Sequence, residues 1–276
     1  MIYLTCDIHH AALNTGNQKH CSISEIETAT EMSRLLFERK IKATYFISGQ
    51  SFVDEWSELK KFVLHPDIAI GGHNFNCFKP DIIHRLSNKI FKSYNGPKFY
   101  QKKDALKTIQ AIEQKTGEKI SLWRNHMYMH GQYTDHVLPE CGITICSDGV
   151  EKNSIGPKKM GENYYHFPLN IIPDHEHLIH AERTPEWIDW WIKRYNWSDD
   201  FGNKSYYIEE WTDKVISQLK ENEKKGVISN MIIHPITMYL CDNFRCLSKI
   251  LDYIASVENS NYKELENNLI KRDAAA

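Results

Sequence analysis

The chain has 276 residues, 41% hydrophobic and 25% charged, which is ordinary for a globular protein able to bury a sizeable core. A net charge of −2 leaves no overall basic surplus for nucleic-acid binding, and no run approaches the ~20 apolar residues of a membrane span. The seven cysteines are odd in number and form no Cys-x-x-Cys, which points away from a disulfide framework and toward a reducing, cytoplasmic setting.

The opening run Ile2-Tyr-Leu-Thr5 reads as a buried strand that ends in Asp7, His9 and His10. Side chains alternate along a strand, so Asp7 and His9 share one face. Ser22-Ile-Ser-Glu25 reads as a capping box ahead of a helix over 26–39. Ala43 to Gly49 is a second strand, 51–64 a helix with Trp56, Leu59 and Val63 inward, and Ile68 to Gly72 a third strand.

Residues 81–100 carry no clear period. Gln101 to Thr116 reads as a helix with Leu106, Ile109 and Ile112 inward and Gly117 at its end. Further strands are read at 120–124, 142–147, 164–167 and 227–233. Thr184-Pro185 starts a helix, on which Trp187, Trp191 and Tyr195 make a core stripe. Trp211, Val215 and Leu219 mark another helix, ended near Gly226, and Asp242 caps a last one bearing Leu247, Leu251 and Ile254. The final Ala274 to Ala276 carries no chemistry.

Strand and helix alternate without linker or repeat, which predicts a single α/β domain over 1–276 with a parallel sheet; six or seven strands favour a closed barrel. Residues just after parallel strands meet at one mouth. Those positions hold Asp7, His9, His10, His73, Cys77, Arg124, His126, Asp148 and His234, a set rich in metal-ligand and acid/base types. A second group, Asp174-His-Glu-His177 with His180, has chelating spacing but reads more readily as a solvated loop.

Five stretches, in order, resemble the motifs of the polysaccharide deacetylases (carbohydrate esterase family 4). They are Thr5-Cys-Asp-Ile-His9, Ala43-Thr-Tyr-Phe-Ile-Ser-Gly49, Gly71-Gly-His-Asn-Phe-Asn-Cys77, Arg124-Asn-His126 and Ile232-Ile-His234. The resemblance implies a distorted (β/α)7 barrel and metal-dependent removal of an N-acyl group, such as acetyl, from an amino sugar.

Residue by residue, the resemblance makes Asp7 the general base and His234 the general acid. Arg124 then orients Asp7, and Asp148 tunes His234. His126 stands where the family has proline and, with Trp123, faces substrate. Ile8 cannot ligate, so His9 takes that place, with His73 and with Cys77 where the family has a second histidine. His73 and Cys77, four apart on a helical turn, can share one ion. A thiolate with two imidazoles favours zinc over magnesium or calcium. Asp7 and His10 are rivals for the third ligand position.

Without a secretion signal, the implied substrate is a nucleotide- or lipid-linked N-acylated amino sugar in cytoplasmic surface-polysaccharide (lipopolysaccharide) assembly. Two alternatives stand beside this: hydrolysis of another C–N bond, such as a cyclic amide, and a catalytically inactive carbohydrate-binding relative.

Overall fold

Strand β1 (Ile2–Ile8) is buried along its whole length, because it lies between two parallel neighbours, β2 (Ala43–Ile47) and β8 (Ser229–Ile233). A strand covered on both faces needs the near-continuous apolar run found here. The computed structural model describes residues 1–9, 16–78, 81–91 and 93–275; His10 lies outside the described residues.

Next to β2 stand β3 (Ile68–Gly72), β4 (Leu122–Trp123), β5 (Ile145–Cys146) and β7 (Tyr164–His166), all in parallel register. Strand β6 (Lys158–Gly161) pairs antiparallel with β7, and β9 (Asn259–Ser260) joins the start of β1. The order β7-β5-β4-β3-β2-β1-β8 is a curled seven-strand parallel sheet of the (β/α)7-barrel kind.

No backbone ladder joins β8 to β7 among the described residues. Two asparagines close the gap instead. Asn170 N donates to the Asn230 carbonyl at 3.1 Å, and Asn230 N donates to Asn170 Oδ1 at 2.8 Å. Asn230 Nδ2 then donates to the Phe167 carbonyl at 2.9 Å. Side-chain amides thus stand in for ladder bonds, with Asn230 Oδ1 left without a hydrogen-bond partner among the described residues.

Alternation along β1 separates two cores. Ile2, Leu4, Cys6 and Ile8 pack outward under the helices, whereas Tyr3 packs inward with Phe46, Leu122, Ile145 and Phe167. The interior is completed by Tyr262, Leu265 and Leu269 of the C-terminal helix Tyr262–Ala274, an element not expected from the sequence.

Several boundaries differ from expectation. The capping box is Ser24 with Glu27, not Ser22 with Glu25. The helix expected over 51–64 is two, Gly49–Asp54 and Trp56–Val63, interrupted at Glu55. Residues 81–100 hold a helix, Asp81–Phe91, and the start of another, Lys98–Thr116, which ends on left-handed Gly117. Ile109 and Ile112 are buried as expected, but Leu106 is exposed. On the helix Pro185–Tyr195 only Ile188 is buried, so the expected core stripe of Trp187, Trp191 and Tyr195 lies outside the core. No described helix is long and apolar enough to cross a membrane.

Candidate active site

The inward face of β1 carries Asp7 to the strand's end, where Arg124, just after β4, meets it. Arg124 is wholly buried and its donors are matched one by one. Nη1 donates to Asp7 Oδ1 at 2.8 Å and to Thr5 Oγ1 at 2.9 Å. Nε donates to the Ser147 carbonyl at 2.8 Å and Nη2 to Ser147 Oγ at 2.7 Å. The guanidinium also lies over the Phe46 ring at 4.4 Å. This fork fixes the Asp7 carboxylate and leaves Oδ2 facing His73 Nε2 at 3.7 Å.

His73 follows β3. Its Nδ1 donates to the Arg124 carbonyl at 2.9 Å, which leaves the Nε2 lone pair aimed into the mouth. His9 is held alike: Nδ1 donates to Glu25 Oε1 at 2.9 Å, and the same oxygen accepts from the His9 backbone N–H at 2.9 Å. Carboxylate and carbonyl partners of this type are what orient imidazoles that ligate metals. The two Nε2 atoms lie 3.1 Å apart, and His126 Nδ1 is 3.4 Å from His73 Nε2.

Burial pushes the His73 and His126 imidazoles well below the ordinary histidine range, with neighbouring His9 adding to the effect in both. His9 and His73 face each other through Nε2, a pair of nitrogens that a shared proton or a shared metal ion would bridge. Nitrogens about 2.0–2.1 Å from a tetrahedral ion lie roughly 3.3 Å apart, the spacing found here. Ligand atoms of His9, Cys77 and His126 all fall within 4.8 Å of one another. That group of two imidazoles and a thiol could hold a divalent ion and includes His126, expected against substrate; His73 is outside it, although its Nε2 lies 3.1 Å from His9 Nε2.

Cys77 does not reach this cluster on a helical turn. Residues 74–78 form a non-helical turn in which Asn74, Cys77 and Phe78 have φ of +55°, +44° and +58°. Left-handed backbone costs about 1–3 kcal/mol at a residue such as Cys or Phe and concentrates at functional sites. Asn74 braces the turn: its Oδ1 accepts from the His126 N–H at 2.7 Å, and its Nδ2 donates to Asp104 at 2.9 Å.

His234, after β8, stacks on the His9 ring with centroids 5.8 Å apart. Its partner is Asp174: Oδ1 is 2.7 Å from His234 Nδ1, and Oδ2 accepts from the His234 backbone N–H at 2.6 Å. Burial alone would lower this imidazole, but the Asp174 carboxylate outweighs it and lifts His234 to about 9. Asp174 thus occupies the place expected for Asp148. Asp148 instead accepts from Asn125 N at 2.7 Å and Asn125 Nδ2 at 2.6 Å, and lies 3.5 Å from His130 Nδ1. The hydrogen bond to Asp148 raises His130 to about 9.

Trp123 does not line the mouth. It is buried in the outer core with Nε1 donating to Asn125 Oδ1 at 2.9 Å. Its ring fills the space a side chain would need at Gly72, where a Cβ would come 2.4 Å from it. The Asp174–His177 stretch is a short, largely buried helix and no solvated loop; His177 is tied to Asp199 at 3.0 Å. Beyond His234, the His175 ring lies 5.1 Å away and His180 follows at 6.0 Å from His175. Both His180 nitrogens and His175 Nδ1 lack hydrogen-bond partners among the described residues. The carboxylates of Glu25 and Asp174 were the site residues the sequence reading missed; only the Asp174-His-Glu-His177 spacing had marked one of them.

Residues 2–145 match the family model described as polysaccharide deacetylase. The chain belongs to the polysaccharide deacetylase family. No curated protein matches it significantly. Among solved structures it is similar to a protein assigned as a polysaccharide deacetylase from Mycobacterium smegmatis, at 11% identity and TM-score 0.71, covering 99% of this chain and 91% of that one. A probable polysaccharide deacetylase from Pseudomonas aeruginosa is similar at 10% identity and TM-score 0.65, over 96% and 90%. Puue allantoinase is similar at 12% identity and TM-score 0.62, over 96% and 89%. At these identities the likeness is one of fold.

Proposed function

We propose that this polysaccharide deacetylase family member hydrolyses the N-acyl group of an amino sugar, releasing a free amine and a carboxylate such as acetate. The observation that carries the reading is that Asp7 and His234, each held by an oppositely charged buried partner, flank one imidazole cluster. His9, Cys77 and His126 would hold a divalent ion, zinc being the best match to nitrogen and sulfur donors, with His73 Nε2 beside them as a further imidazole. Such an ion supplies Lewis acidity toward the amide carbonyl and toward water.

The chain's own groups do the proton work. Asp7, aimed by Arg124, accepts a proton from the attacking water as general base. The water oxygen bonds to the carbonyl carbon, and the C–N bond then breaks. His234, kept cationic by Asp174, gives its proton to the departing nitrogen, so the sugar leaves as a neutral amine. We extend the reading to a nucleotide- or lipid-linked substrate in cytoplasmic assembly of surface polysaccharide, a setting that the cysteine usage supports.

The test follows acetate release from N-acetylated sugar nucleotides and lipid-linked sugars, alongside elemental analysis of protein purified without chelator. Turnover with bound metal is expected. Tight sugar binding with neither turnover nor metal would instead favour a binding relative.

A further inference from the structure

Helix Asp81–Phe91 turns its apolar side outward. Ile82 and Ile90 are each 66% exposed and Leu86 52%, whereas the buried positions are His84 and Ser87. Ile82, Leu86 and Ile90 follow one another at i, i+4 and i+8, and Ile83 widens the same stripe. Phe91 and Phe99 add two more exposed rings nearby in sequence. Arg85 and Lys89 border the stripe, three residues on from Ile82 and Leu86 respectively.

Charge gathers on the same stretch. Residues 79–107 contain eight lysines and arginines against two aspartates, +6 along the sequence in a chain of net charge −2; Arg85 pairs with Asp81, and Lys98 and Lys102 pair with Glu140. An apolar stripe bordered by cations, on a helix too short to span a bilayer, is the pattern of helices that lie in the membrane interface. An isologous pairing with a second copy would set this positive stretch against itself, and like charges across an interface are unfavourable.

We propose that helix Asp81–Phe91, together with Phe99, docks the protein on an anionic membrane surface. The apolar stripe enters the headgroup boundary, and the cations meet anionic lipid at roughly fivefold in partitioning each. The helix is coupled to the candidate site through Phe78, whose ring lies 4.9 Å from His84 and 5.1 Å from His126. Docking therefore brings the imidazole cluster close to the lipid headgroups. The inference rests on this surface and does not depend on the hydrolase reading.

The experiment is co-sedimentation of the full chain with phosphatidylcholine vesicles, with and without phosphatidylglycerol, at low and high salt. Binding to the anionic vesicles that weakens with salt is expected. Leu86→Glu/Ile90→Glu should lower partitioning at least tenfold, and Arg85→Gln/Lys89→Gln about fivefold for each cation removed. All four positions are exposed, and matching circular dichroism melts check that the variants fold. Failure of the wild type to bind anionic vesicles, or wild-type partitioning by Leu86→Glu/Ile90→Glu, overturns the proposal. So does a wild-type dimer that Leu86→Glu/Ile90→Glu dissociates in sedimentation equilibrium, because a second copy would then cover the stripe.

Discussion

Asp174 grips His234 twice, through the ring Nδ1 at 2.7 Å and through the backbone N–H at 2.6 Å. The two contacts fix both the charge and the direction of the ring, and they leave Nε2 as its remaining donor. Asp174→Asn keeps the shape and removes the charge that opposes burial. In metal-free protein the His234 pKa, lifted to about 9 in the wild type, should then fall, read by NMR titration of the ring protons. The alkaline limb of the rate profile should move to lower pH with it. A limb that stays in place would assign it to another group.

The same pair sets a stability trend. A histidine whose folded pKa is raised stabilises the fold fully below its unfolded value near 6.5, and that contribution is lost as pH rises through about 9. The urea midpoint of metal-free wild type should therefore decline across that window, and Asp174→Asn should flatten the decline.

Asp7→Asn tests the base. It preserves volume but removes basicity, and should cost ~10²–10⁴-fold in rate with bound metal unchanged. Wild-type-like turnover by this variant would refute the assignment.

The ligand set separates by substitution. His73→Ala should lose metal and activity together, and His126→Ala should lower metal content if His126 ligates. Cys77→His should retain or tighten binding, whereas undiminished metal in Cys77→Ala would remove the thiolate from the set. Glu25→Gln, which weakens the hold on His9 without touching the ion, should cost ~10–100-fold in affinity. Elemental analysis and competitive chelator titration read all five variants.

Arg124→Met tests the buried fork. It leaves Asp7 ionised and unpaired in the interior, and breaking such a pair costs about 3–5 kcal/mol. Urea unfolding should show a lower midpoint with an unchanged slope. A midpoint within error of the wild type would mean that Asp7 is not charged there.

The strand-end positions of Asp7, His73, Arg124 and His234 were legible in the sequence, because short apolar runs closed by polar residues mark where strands stop. The facing of Asp7 also followed, since alternation along β1 is a property of the backbone itself. The role of Trp123 was not legible, because a strand residue next to a site residue points the other way, here onto Gly72. Nor was the outward turn of Ile82, Leu86 and Ile90: their spacing predicts one shared face, but not whether that face meets core or solvent.

By itself, then, the sequence determined the alternating elements, the mouth at which they end and the kinds of groups gathered there. Tertiary structure decided the partnerships: Glu25 with His9, Asp174 rather than Asp148 with His234, and His126 beside His73. Periodicity reports how a side chain is directed from its own backbone. Which carboxylate reaches which imidazole depends on how segments distant in sequence fold over the barrel mouth, and that is settled by packing across the whole molecule.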